Sequence, residues 1–154
     1  MAFRRHKGKT KIMFFEGDTA LQVRDGGLVS ITDSGTITPV RNDSTDRPIG
    51  VARRNDTTTD SSLVPVEVPV EDYVEWIIDL DSDGGALDSD IGRYCAVDTT
   101  GGTSVNAGDS CGMRADINDT AVRTVFVTGR ISATQVIGVI ARRASYIIPD
   151  TGTV

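Results

Sequence analysis

Apolar residues along this chain come in short runs, and polar turns built on glycine and aspartate separate them. Residues 28–32 set Leu28, Ser30 and Thr32 against Val29 and Ile31, the period-two pattern of a strand with two different faces. Residues 63–70 read Leu-Val-Pro-Val-Glu-Val-Pro-Val, with Val64, Val66, Val68 and Val70 on one face and Pro65, Glu67 and Pro69 on the other. Prolines cannot donate to a ladder, so this strand is expected at a sheet edge or between subunits. Further strands are expected at 12–15, 20–23, 36–40, 73–80, 93–97, 111–115, 123–128, 135–141 and 145–148. Turns at Asp25-Gly26-Gly27, Asp33-Ser34-Gly35 and Thr128-Gly129-Arg130 divide them. No segment carries a convincing 3.6-residue period, although one short helix fits 117–122.

About ten short strands in 154 residues define an all-β, single-domain chain, a small β-barrel or β-sandwich. Residues 12–148 form its β domain and 149–154 a polar C-terminal tail. Trp76, the only tryptophan, is its expected core anchor. One pattern occurs twice: Ile49-Gly50-Val51-Ala52-Arg53-Arg54 and Ile137-Gly138-Val139-Ile140-Ala141-Arg142-Arg143. A glycine between apolar residues suits a core strand that another backbone passes closely. The arginine pairs are expected in solvent at two strand ends, where an acidic neighbour could meet them.

Charge changes this picture at one end. The net charge is −6, yet Arg4, Arg5, Lys7, Lys9 and Lys11 all precede the first acidic residue, Glu16. Residues 1–11 therefore read as an extended basic N-terminal arm on an acidic body. That body repels nucleic acid, which favours a protein surface as the arm's target, with Phe3 as an apolar anchor. No apolar run reaches the roughly 18 residues of a membrane span, and no apolar segment follows the N-terminal charges as in a secretory signal.

Candidate chemistry is sparse. The one histidine, His6, lies in the basic segment, and no nucleophile elbow, phosphate loop or dinucleotide fingerprint is present, so no enzyme is expected. Cys95 and Cys111 fit no zinc spacing and form either one disulfide or two free thiols, the second being what a reducing cytoplasm favours. Asp79, Asp81, Asp83 and Asp90 fall at positions 1, 3, 5 and 12 of a calcium-loop spacing, with Gly84 at position 6. Asp90 stands where glutamate is usual, Ala86 where a branched apolar residue is usual, and a strand precedes the loop. The competing reading is an acidic connector whose turn residues bond their own backbone. Calcium apart, no cofactor is called for.

The stretches Val64-Pro65-Val66-Glu67-Val68-Pro69-Val70-Glu71, Val74-Glu75-Trp76-Ile77-Ile78-Asp79 with its Asp-Ser-Asp-Gly-Gly loop, Asp88-Ser89-Asp90-Ile91-Gly92-Arg93-Tyr94-Cys95, and Val127-Thr128-Gly129-Arg130 through Ile140 together resemble the capsid decoration, or cement, proteins of tailed bacteriophages. The resemblance covers roughly residues 12–140. It implies a β-rich protein that is made in the host cytoplasm and then sits on the virion capsid surface. There it joins the outside of the major capsid protein lattice, usually as a homotrimer, and stabilises the head, with no direct nucleic acid or membrane partner. The family supplies no catalytic residues, and calcium is not a feature it implies. The expected contact residues are Phe3, Arg4, Arg5, Lys7, Lys9, Lys11, Val64, Val66 and Val68. A rival expectation is a calcium-dependent β domain that binds carbohydrate or a host surface.

Overall fold

A computed structural model of the chain describes residues 3–18, 23–40, 47–56, 63–71, 73–81, 85–98, 112–120 and 122–141. The architecture is all-β, with eleven strands among the described residues in two antiparallel sheets. The strands are β1 (Phe3–Lys7), β2 (Thr10–Phe15), β3 (Leu28–Ile31), β4 (Ile37–Pro39), β5 (Pro48–Ala52), β6 (Val64–Pro69), β7 (Glu75–Asp79), β8 (Tyr94–Val97), β9 (Ala115–Asp116), β10 (Val125–Ser132) and β11 (Gln135–Ile140). One sheet has the order β1-β7-β11-β10-β8-β9 and the other β2-β6-β5-β3-β4.

The five-stranded sheet curls until its two edges nearly meet. Gly17 and Ile37 form a parallel bridge, with the Ile37 N–H donating to the Glu16 carbonyl (2.9 Å) and the Asp18 N–H to the Ile37 carbonyl (2.9 Å). Both faces of β3, β4 and β5 are buried. Leu28 and Val51 join a core with Phe3, Trp76, Ile78 and Val125 of the other sheet, while Val29, Ile49, Val64, Val66 and Val68 fill the inside of the curl. The period-two pattern at 28–32 does not separate a dry face from a wet one, because Leu28 and Val29 are both fully buried.

The proline-bearing strand is not an edge. β6 lies between β2 and β5. The Arg53 N–H donates to the Pro65 carbonyl and the Val70 N–H to the Lys9 carbonyl. A strand residue's N–H and C=O point the same way, so Pro65 and Pro69 face β5 and the valines face β2. β5 pairs with β6 only at Glu67 and Val66, so the missing proline donors fall beyond the paired stretch. Two other expectations change. The strand across Thr128-Gly129-Arg130 does not turn but runs on as β10, absorbing a bulge between Val127 and Gly129. The described part of 117–122 is not helical, and the only helical turn among the described residues is the 3-10 turn Asp88–Asp90. The expected strand at 145–148, the tail at 149–154 and most of 20–23 lie outside the described residues.

Gly50 and Gly138 each occupy the third strand of their own sheet, β5 and β11. They mark the two sheet centres and are not neighbours. Trp76 is fully buried, as expected of a core anchor.

Cys95 is a buried free thiol, and Cys111 lies outside the described residues. Burial, and then the negative charges of Asp116, Asp90, Asp119 and Asp81, push the Cys95 thiol from its ordinary 9.0 up to about 12. The folded state thus holds this proton more tightly than the unfolded chain. Its contribution to stability is complete below pH 9.0 and is lost as the pH rises toward 12. In a Cys111→Ser background the remaining thiol is expected to ignore a disulfide reagent at pH 8 until guanidinium unfolds the chain. Rapid labelling of the native protein would refute this.

Candidate docking surface

The basic segment at the N-terminus is extended, but it is not a free arm. β1 pairs antiparallel with β7 in the register Phe3↔Ile78, Arg4↔Ile77, Arg5↔Trp76 and Lys7↔Glu75. Phe3 is fully buried, so it anchors the chain's own core and not a partner. Gly8, with φ of 104°, turns the chain from one sheet into the other, and a Cβ there would lie 2.7 Å from the Tyr73 carbonyl. β2 then pairs with β6 along its whole length. Residues 3–11 accordingly run with the β domain expected from residue 12, through β1 and the start of β2. The burial of Phe3 and the open ladders of β6 and β7 outweigh the charge of the segment, which can stay in solvent on a strand's outer positions.

Arg4, Arg5, Lys7, Lys9 and Lys11 are all exposed, and two of them flank a cleft of about 470 Å³ lined by Arg4, Arg5, Asp25, Arg53 and Glu67. At its floor Glu67, nearly buried, accepts hydrogen bonds from Arg53 Nε (2.7 Å) and Thr10 Oγ1 (2.8 Å), with an ion pair to Arg53 Nη2. Arg5 Nη1 donates to Thr10 Oγ1 (2.9 Å), and Arg5 Nε lies 3.5 Å from Glu67 Oε1. Arg53 Nη1 donates to the Phe3 carbonyl (3.0 Å), and the guanidinium lies 5.9 Å from the centre of the Trp76 ring. One carboxylate thus ties β1, β2, β5 and β6 together. Arg53 is not a solvent-facing strand end but half of this clasp. Arg54 donates to the Leu63 carbonyl (3.0 Å), and Arg142 and Arg143 lie outside the described residues.

Val64, Val66 and Val68 are fully buried inside the curled sheet and offer nothing to a partner. The exposed apolar side chains nearby are Ile12 (45% exposed), Phe14 (62%) and Leu63 (52%). The opposite face of this strand is covered as well, with Glu67 and Pro69 buried and Pro65 half-buried. A lone charge in an otherwise apolar strand, Glu67, was the available sign of a buried ion pair in place of a wet face.

The aspartates of the candidate calcium loop do not converge among the described residues. Asp79 Oδ1 accepts from Gln135 Nε2 (2.8 Å), while Asp90 Oδ2 accepts the Leu87 N–H (2.8 Å) and Asp90 Oδ1 lies 3.4 Å from Arg93 Nη1. Asp81 donates its backbone N–H to the Ala115 carbonyl (3.0 Å), and Asp83 is outside the described residues. No group of three His, Cys, Asp or Glu side chains among the described residues could hold a metal ion. Asp90 bonds its own turn, as the acidic-connector reading expects. His6 is exposed with Nε2 4.0 Å from Glu75 Oε2, and Tyr73 donates to Glu75 Oε1 (2.8 Å). The Glu75 hydrogen bond and charge, with burial between them, raise the Tyr73 phenol above its usual value.

No helix of the described residues is long and apolar enough to cross a membrane. No family model, no curated protein and no solved structure matches the chain.

Proposed function

We propose that this chain is a structural protein of a tailed-phage head, docking on the outside of the major capsid protein lattice and stabilising it as an oligomeric decoration protein. The observation that carries the reading is the set of exposed basic residues Arg4 and Lys7 on β1, Lys11 on β2 and Lys9 in the link between them, on a β body that is otherwise acidic. The sequence resemblance to decoration proteins points to the same role. Because β1 and β2 are paired and the Lys9 carbonyl between them accepts the Val70 N–H, little ordering entropy is lost when these residues meet an acidic partner surface. Several linked copies on a symmetric lattice would add avidity to a weak single contact. Against the calcium-dependent alternative, Asp90 is already engaged by the Leu87 N–H of its own turn and by Arg93.

Sedimentation of the full chain with undecorated, expanded heads of the encoding phage tests this reading. The chain is expected to travel with the heads, more weakly as salt rises. Reversing Arg4, Lys7, Lys9 and Lys11 together to glutamate is expected to weaken attachment by at least about tenfold, chiefly through slower association. Deleting residues 2–11 is not a clean test, since it removes β1 and the start of β2. A chain that stays at the top of the gradient at saturating concentration would sink the decoration reading. A charge-reversed variant that binds unchanged would remove the basic residues from it.

A further inference from the structure

The five-stranded sheet ends on β2, whose outer edge pairs with no other strand among the described residues. The bond from the Val70 N–H to the Lys9 carbonyl (3.1 Å) fixes the ladder. Lys9, Lys11, Met13 and Phe15 exchange hydrogen bonds with β6, so the peptide groups of Thr10, Ile12 and Phe14 point outward. The side chains of Ile12 and Phe14 are 45% and 62% exposed. The free edge ends at Glu16, whose carbonyl already accepts the Ile37 N–H. An apolar edge with unpaired peptide groups is a template for another strand.

The sequence along this edge also has a direction. Lys9 and Lys11 precede the apolar stretch, and Glu16 and Asp18 follow it. A second such strand laid antiparallel sets the basic end of each copy against the acidic end of the other, whereas a parallel strand would set like against like. We propose that β2 pairs with β2 of a second copy about a two-fold axis at Ile12, joining two five-stranded sheets into one of ten strands. In this register Ile12 faces Ile12 and Thr10 faces Phe14. Gly8 turns the incoming copy away level with Glu16, where β4 takes over the edge. The contact is isologous and self-limiting. It concerns the chain's own assembly and stands whether or not the chain binds capsids.

The test uses Ile12→Cys in a Cys111→Ser background. Directly opposed hydrogen-bonded residues lie about 5.5 Å apart at Cα, within disulfide range. Mild oxidation is expected to link Ile12→Cys chains in pairs at least about tenfold faster than Ile131→Cys chains, a comparably exposed position (46%) on β10. Light scattering should show a concentration-dependent two-chain mass. Ile12→Lys should abolish it without moving the melting temperature, and Glu16→Lys should raise the dissociation constant about tenfold. Cross-linking no faster than at Ile131 overturns the proposal, as does a three-chain mass that Ile12→Lys leaves unchanged.

Discussion

Alanine at Gly50 is expected to lower the stability of the fold by about 3 kcal/mol, enough to drop the melting temperature by roughly 6–12 °C in a domain of this size. A Cβ at Gly50 would drive into the Glu67 carbonyl oxygen, with the Glu67 carbonyl carbon at 3.0 Å and Val66 Cγ1 at 3.1 Å. The obstacle is backbone. β6 cannot retreat from it without breaking its pairing with Val51 and Ala52 on one side or its six-residue ladder with β2 on the other. Gly138, in the second copy of the repeated motif, is expected to cost less, about 1–2 kcal/mol. Its Cβ would meet Val125 Cγ1 at 2.8 Å and Ile78 Cδ1 at 3.2 Å, both ends of side chains that can rotate, and the Phe126 carbonyl at 3.0 Å. Gly85→Ala serves as the control. There the nearest atom is Ala133 Cβ at an ordinary 3.5 Å, so the change should stay within about 0.5 kcal/mol. Guanidinium melts of the three variants give the ranking. If Gly50→Ala matches Gly85→Ala, close strand approach is not what the motif's glycine provides.

The ranking also shows what the sequence could convey. A glycine between Ile and Val, met twice, identifies a core strand, because nothing else at that spacing explains a residue without a side chain amid β-branched neighbours. It says nothing about which sheet each copy enters. The bounds of the strands around Trp76, Cys95 and Val136 were legible for a similar reason, since turn residues and short apolar runs act over a few positions. The partners of residues 3–15 were not. Local composition reports charge, and by charge this segment belongs in solvent. The open ladders of β6 and β7, about fifty to seventy-five residues away, recruit its backbone, and the side chains Arg4, Lys7 and Lys9 remain outside. Val64, Val66 and Val68 were misassigned for the converse reason. Alternation shows that a strand has two faces, but in a curled sheet both are buried, and only the Glu67 pairing with Arg53 distinguishes them.

That pairing supports the second large effect. Replacing Glu67 with leucine is expected to cost about 2 kcal/mol, because Arg53 would remain half-buried beside Trp76 with its carboxylate gone. The loss should spread beyond the pair. Thr10 would lose the acceptor that holds it to β6, and Arg5 would lose the other end of its chain of hydrogen bonds through Thr10. Removing both charges is expected to behave differently from removing one. In Arg53→Met with Glu67→Leu, no unpaired ion is left at the floor of the cleft, and apolar side chains of similar length can fill it. At least half of the single-variant loss should then return. Denaturant melts of Glu67→Leu, Arg53→Met and the pair complete the cycle. Strictly additive losses would show that the two side chains act separately and that the clasp does not join the sheets. A large coupling would place the junction of β1, β2, β5 and β6 in this one carboxylate. It would also make the exposed basic residues beside it a rigid surface, fixed in position before any partner arrives.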